Sequence, residues 1–249
     1  MRRNKLWLFV QGFAALNMLW ALAAWALGSR MVPTPWAVYQ RAGALWADGL
    51  ALHLAMSLWR AGAGLVVALV LGAALGLLMA HSARWNRLLH PLVYLTYPIP
   101  KTALLPVVLL LFGLGDTSKI LMVALIVVFQ VIVAVRGAAV GIPREHYRHI
   151  TSLGAGSWQR FRHVTLPAIL PELLTNTKVS VGTALSILFF TEAYGTRWGI
   201  GYYILDAWGR LDYPDMYGGI LALALLGFVL FALLDTLEDR LCRWRGRAG

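Results

Sequence analysis

Five polar side chains stand inside or at the ends of long apolar runs: Gln130, Thr183, Ser186, Thr191 and Glu192. Tyr97 and Lys101 accompany another run, one broken by prolines. Polar side chains are costly in lipid and face protein or a watery route. Amide, hydroxyl, carboxylate and ammonium groups so placed could line a path for a polar solute. Each Ser or Thr has a competing structural reading, a bond to its own helix backbone. Glu192 either lines the path or pairs with Arg197, and Lys178 reads as reaching the inner interface by snorkelling. His146, His149 and His163 share one polar loop, while His53, His81 and His90 scatter near helix ends. No His/Asp/Glu cluster within the spans suggests a metal or catalytic site. No GxxxxGK[ST] phosphate loop is present, so hydrolysis of ATP by this chain is not expected.

The elements that hold these groups follow from composition. Of 249 residues, 59% are hydrophobic and 13% charged, about half the charge of an ordinary soluble domain. The single cysteine, Cys242, excludes an internal disulfide. Leu6–Leu27 is long enough to cross a bilayer and too long for a signal-peptide core. Further spans are expected at Leu58–Ala80, Pro91–Leu114, Lys119–Val135, Leu173–Ala193 and Met216–Leu237. Gly62, Gly64, Gly72 and Gly76 suit general packing or one specific close helix contact. Pro91, Pro98, Pro100 and Pro106 break the third span, which therefore belongs in the interior. Asp116 reads as the N-cap of the fourth.

Positive charge sets the orientation. An inside N-terminus places Arg2, Arg3, Lys5, Arg84, Arg87, Lys101, Arg136, Arg144, Arg148, Arg160, Arg162, Arg240, Arg243, Arg245 and Arg247 on the cytoplasmic side. Arg30, Arg41, Lys119, Arg197 and Arg210 fall outside, and Arg60 and Lys178 near helix ends. The expectation is an all-α polytopic membrane protein of about six spans, N-in and C-in. Residues 1–57 form the first span and an outer loop, 58–241 the core with a loop at 136–171, and 242–249 a basic tail.

The loop contains "TSLGAGSWQRFRHVTLPAILP", Thr151–Pro171. Pro143 suits the first turn of a helix, and Glu145 its positive end. Gly154 suits a left-handed cap, Ser157 an N-cap for a second helix, and Pro167 and Pro171 a bend into the fifth span. One face offers Leu153, Trp158 and Phe161. The readings are an amphipathic lipid anchor, a nucleic-acid-binding helix–turn–helix, disfavoured by the adjacent membrane, and a docking surface for a cytoplasmic protein.

These residues resemble the EAA loop of type I ABC-importer permeases, with Gly154 followed by Val164, Leu166 and Pro167. "SLWRAGAGLVVALVLGAALGLLMA", "YPIPKTALLPVVLLLFGLGDTSKI" and "TEAYGTRWGIGYYILDAW" resemble further blocks of the sulfonate/nitrate/taurine branch, in order. The resemblance covers nearly the whole chain and implies an inner-membrane permease subunit with no cofactor of its own. It implies cytoplasmic ATPase subunits that bind ATP, an extracytoplasmic substrate-binding protein, a second permease copy, expected to be identical, and surrounding lipid, with no nucleic acid. It implies a small organic or inorganic anion, or a thiamine-precursor-like solute. One departure stands out: Arg148, His149 and Ile150 occupy the Glu-Ala-Ala positions, with Glu145 one turn earlier as a possible substitute or as a partner for Arg148 or His149.

The outer segment "YGTRWGIGYYILDAWGRLDYPDMY" is rich in glycine and aromatics. By resemblance Arg197, Trp198, Tyr202 and Asp206 belong to a gate facing the binding protein; by composition the aromatics suit an interfacial belt. Asp206, Asp212 and Asp215 are candidate contacts for basic patches on that protein. An ion-gradient-driven transporter also suits the polar spans but leaves the central loop unaccounted for.

Overall fold

The computed structural model describes residues 2–28 and 31–244. Arg30 and the tail residues Arg245 and Arg247 lie outside the described residues. The described chain is helical, without strands. Helices α1 (Arg2–Leu27), α3 (Leu50–His81), α6 (Asp116–Val140) and α11 (Tyr213–Leu241) are each long and apolar enough to cross a membrane. A fifth crossing runs continuously from Ser157 to Glu192 and comprises α8 (Ser157–Arg160), a π-helical turn (Phe161–Thr165) and α9 (Leu166–Glu192). The sixth is broken: α4 (Ala83–Thr96) and the segment Lys101–Phe112, which ends in α5 (Leu105–Phe112), meet at 88°. Shorter helices are α2 (Pro35–Ala47), α7 (Arg144–Ser152) and α10 (Ile200–Gly209).

The core is organised around α3 and α6. Gly64, Ala68, Gly72 and Gly76 recur every fourth residue and form a smooth stripe along α3. A Cβ on Gly64 would lie 2.7 Å from Val123 Cβ, and one on Gly72 2.6 Å from Val131 Cβ. One on Gly76 would lie 2.9 Å from the Ile132 carbonyl oxygen and 3.0 Å from Val135 Cβ. Each valine lies the same number of positions beyond its glycine, so the helices run parallel in fixed register. Lipid tails are as apolar as leucine, so such close packing is what holds helices together in a membrane. Gly62 points into open space. The glycine pattern is therefore one specific interface that excludes Gly62.

Several boundaries differ from the sequence expectation. Helix α3 begins at Leu50 and passes through His53, Ser57 and Arg60, which all pack buried among other elements. Gly115, not Asp116, occupies the N-cap of α6, because the Asp116 carboxylate is turned to Arg60. Lys119 is buried in the first turns of α6, not in a loop; its Nζ donates to the Leu114 and Gly115 carbonyls at 2.6 and 3.3 Å. Pro167 and Pro171 do not bend the chain between two helices. Proline lacks the N–H that would continue an α-helical ladder; the π turn before it, with the Leu166 N–H bonded to the Phe161 carbonyl, shifts the ladder and keeps one helix. Helix α2 lies within the outer loop expected from the sequence; Thr34 caps it, accepting from Ala37 N–H at 3.4 Å, and Pro35 opens it.

Candidate functional site

The central loop is a capped helix. Helix α7 follows Pro143 and carries Glu145 in its first turn. It closes at Gly154, where φ is +81°. The Ala155 N–H donates to the Ile150 carbonyl at 3.2 Å and the Gly154 N–H to the Thr151 carbonyl at 2.9 Å. These two bonds form a Schellman closure, for which glycine is suited because it has no Cβ to clash in the left-handed region. Gly156 stands at the next N-cap, its N–H held by Gln159 Oε1 at 2.8 Å. Ser157 is thus the first helical residue and not the cap; its Oγ accepts from Arg160 at 3.0 Å. Tyr147 Oη and Thr165 Oγ1, 3.0 Å apart, tie α7 to the π turn.

On this frame Leu153 is 85% exposed and Trp158 68% exposed, with Trp158 stacked on Phe161 at 5.6 Å between ring centroids. His149, Ile150, Leu153 and Pro167 line one cleft of about 680 Å³, with Trp244 on its rim. Glu145, Arg148 and His149 are exposed, and among the described residues no ion pair joins Glu145 to either base. Leu166 is exposed at the start of α9.

The polar candidates divide into two groups. Tyr97, Lys101, Gln130, Thr183 and Ser186 line a single cavity of about 400 Å³, walled by Phe129, Ile187 and Phe190. Lys101 is not in an inside loop. Its ammonium lies 4.7 Å from the ring centroid of Phe129, near the middle of α6, because the bend between α4 and α5 folds the chain back against that helix. Its Nζ donates to the Thr96 and Tyr97 carbonyls at 2.9 and 3.1 Å, capping the end of α4. Thr183 and Ser186 also bond the backbone of their own helix, to Val179 O at 3.3 Å and Gly182 O at 2.9 Å.

Thr191 and Glu192 do not reach this cavity; both are buried at the outer end of α9. Glu192 pairs with Arg60, Nη1 to Oε1 at 2.7 Å, and not with Arg197, which is exposed. Ser57 Oγ donates to the Glu192 carboxylate at 2.8 Å, and the Gly201 N–H at 2.9 Å. Arg60 also donates to Asp116 Oδ1 at 2.8 Å and to the Trp198 carbonyl at 2.6 Å. A Cβ on Gly199 would sit 2.4 Å from the Glu192 carboxyl carbon, so the outer chain runs directly over the carboxylate. The charges at 60, 116 and 192 thus fasten three helices to the outer segment. Their polarity is visible in the sequence, but no local signal links positions 132 residues apart.

That outer segment forms α10, whose Tyr202 stacks on buried His53 at 6.0 Å, with Trp198 also against His53 at 5.3 Å. Asp206 pairs with Arg210 on its own helix at 3.0 Å. Asp215 is buried against Arg41 at 2.8 Å, and Asp212 caps α11 by accepting from the Asp215 N–H at 3.3 Å. Of the three acids expected to meet a binding protein, Asp215 is therefore spent internally. Lys178 bridges α9 to α11 through Asp235 and through Glu238 at 2.6 Å.

Five long apolar helices, one broken crossing and a capped loop helix give the frame of a polytopic membrane protein. The chain belongs to the family described as binding-protein-dependent transport system inner membrane component, whose model matches residues 64–245. It is 32% identical to the taurine transport system permease protein TauC of Escherichia coli over 194 residues, covering 78% of this chain and 70% of the relative. It is 30% identical to the formylaminopyrimidine transport permease protein ThiX of Halalkalibacterium halodurans, covering 94% of each. The fold is shared with a chain of the inward-facing MetNI methionine ABC transporter, with TM-score 0.60 and 24% identity over 82% of this chain and 97% of that one. It is also shared with a chain of a bacterial ABC transporter for alginate, with TM-score 0.68 and 17% identity over 95% and 96%. The protein is an inner-membrane transport subunit.

Proposed function

We propose that this permease forms the solute path of an ATP-driven importer and receives its drive at α7. The observation that carries the reading is the Schellman-closed α7 with Leu153 and Trp158 exposed beside it. Two large apolar side chains on a rigid, basic cytoplasmic projection suit a cleft on another protein better than water. The occupant is an ATPase subunit, which binds and hydrolyses the nucleotide. A second, identical permease chain completes the path, lipid surrounds the pair, and a binding protein delivers solute to the outer face near Arg197, Trp198, Tyr202 and Asp206. The cavity at Lys101 lies on the path, while Thr191 and Glu192 act as structural anchors of the outer segment.

Co-purification in detergent with the ATPase subunit of the same host, followed by ATPase assay in lipid, tests this. Wild type is expected to carry the ATPase through purification, and Gly154→Trp, which cannot close the cap, to lose it while remaining in the membrane. A wild-type chain that retains no ATPase overturns the reading and favours a gradient-driven transporter.

A further inference from the structure

The cationic group of Lys101 differs from those of Arg60, Lys178 and Lys119, and Arg136, near the cytoplasmic end of α6, is held by the Asn86 side-chain oxygen at 2.8 Å. Arg60 meets two carboxylates, Asp116 and Glu192, and Lys178 meets Asp235 and Glu238. Lys119 is closed off with no exposed surface. Lys101 stands at mid-depth with only the Thr96 and Tyr97 carbonyls and two ring faces, and among the described residues no carboxylate pairs with it. An ammonium has three N–H donors, so one is left for the cavity. Phe129 lies about 20 Å along α6 from Asp116 at 1.5 Å per residue, which places this charge near the bilayer centre, where an uncompensated cation is expensive and marks a functional site.

The other walls carry a matching pattern. Gln130, on the same cavity, has Oε1 accepting from Ser180 Oγ at 3.3 Å, which leaves its amide nitrogen as a donor. Thr183 and Ser186 spend their O–H groups on their own helix and offer lone pairs to the same cavity. Phe129 and Phe190 supply apolar surface between. A volume of about 400 Å³ suits a molecule of few heavy atoms.

We propose that this cavity binds the singly charged acidic head group of a small organic molecule, with Lys101 as the residue that selects for that charge. The oxygens of the head group meet Lys101 and Gln130, a short carbon segment lies against the phenylalanines, and a donor at the far end, where present, meets Thr183 and Ser186. The assignment rests on the cavity being part of the solute path.

Saturation-transfer NMR on the detergent-purified full chain tests it with three two-carbon probes: ethanesulfonate, 2-aminoethanesulfonate and ethanolamine. Both sulfonates are expected to bind wild type and ethanolamine not. Lys101→Met should weaken both by about tenfold or more, the loss of one charge-assisted hydrogen bond, while Lys101→Arg retains them. Gln130→Leu, which leaves the cap of α4 intact, should weaken both to a smaller degree. Equal binding of ethanolamine, or unchanged sulfonate binding in Lys101→Met, overturns the assignment. So does a Lys101-dependent signal from phosphatidylglycerol with none from ethanesulfonate, which would make the cavity a lipid headgroup site. The ATPase co-purification is read separately, so retained ATPase with no sulfonate binding rejects the site and leaves the importer reading standing.

Discussion

Arg60 and Glu192 meet at 2.7 Å with side chains 3% and 0% exposed, joining α3 to the outer end of α9. Removing one partner of such a pair strands a buried charge, at a cost of about 3–5 kcal/mol. Glu192→Ala is therefore expected to lower stability by that order in thermal unfolding in detergent. Arg60→Met combined with Glu192→Met should recover much of the loss, because it strands no charge at either position.

The α3–α6 contact predicts opposite outcomes for two glycines ten residues apart. Gly72→Ala drives a methyl into Val131 and is expected to destabilise by about 1–3 kcal/mol, the usual cost of overpacking. Gly62→Ala meets nothing and removes a helix-breaking residue, so it should be neutral or stabilising by up to about 1 kcal/mol. The same unfolding assay, run on both, checks the pair.

At Gly154 the requirement is conformational, since a Cβ there meets no neighbour but φ is +81°. Asparagine tolerates that region better than other residues, and a β-branched side chain poorly. Gly154→Asn is expected to keep most of the ATPase through co-purification, and Gly154→Val to lose it. Equal retention by the two variants would show that the left-handed closure is dispensable.

The hydroxyl of Tyr203 in α10 is buried and has no hydrogen-bond partner among the described residues. Burial, and then the nearby carboxylates Asp215 and Asp48, push this phenol up to about 12 from 10.0. An acid that ionises later when folded favours the folded state fully below the unfolded value. That contribution is lost as pH climbs from about 10 towards about 12. Melting temperature should thus fall more steeply over that range for wild type than for Tyr203→Phe, and near neutrality the variant, which removes a buried unpaired hydroxyl, should be at least as stable.

Much of this architecture is written in local patterns. The apolar runs place the membrane crossings, the prolines announce the broken one, and Gly154 with its flanking residues specifies the cap of α7. What escaped were features set by distant partners. His53, Ser57 and Arg60 look too polar for a span, but the Gly199 backbone holds His53, Glu192 holds Ser57, and Glu192 and Asp116 neutralise Arg60, so the apolar pattern alone starts α3 too late. Lys101 follows "YPIP" and reads as loop; only the turn back against α6 puts it at mid-depth. Pro167 and Pro171 are honest signals of a broken ladder, but a π turn absorbs the break that a bend was expected to accommodate. Five of the seven expected path residues share one cavity because Gln130, Thr183 and Ser186 face the same gap between α6 and α9. Thr191 and Glu192 lie beyond that gap.

The helix from Ser157 to Glu192 is 36 residues long, about 54 Å at 1.5 Å per residue. Its cytoplasmic tip carries Trp158 beside the capped α7, and its far tip ends in the carboxylate that Arg60 and the Gly201 N–H grip. One continuous helix, with a π turn at Phe161–Thr165, thus reaches from the capped α7 to the carboxylate beneath the outer segment. Its two ends are therefore joined by one run of helical backbone and not by a relay of loops, and the Lys101 cavity lies beside that run between them.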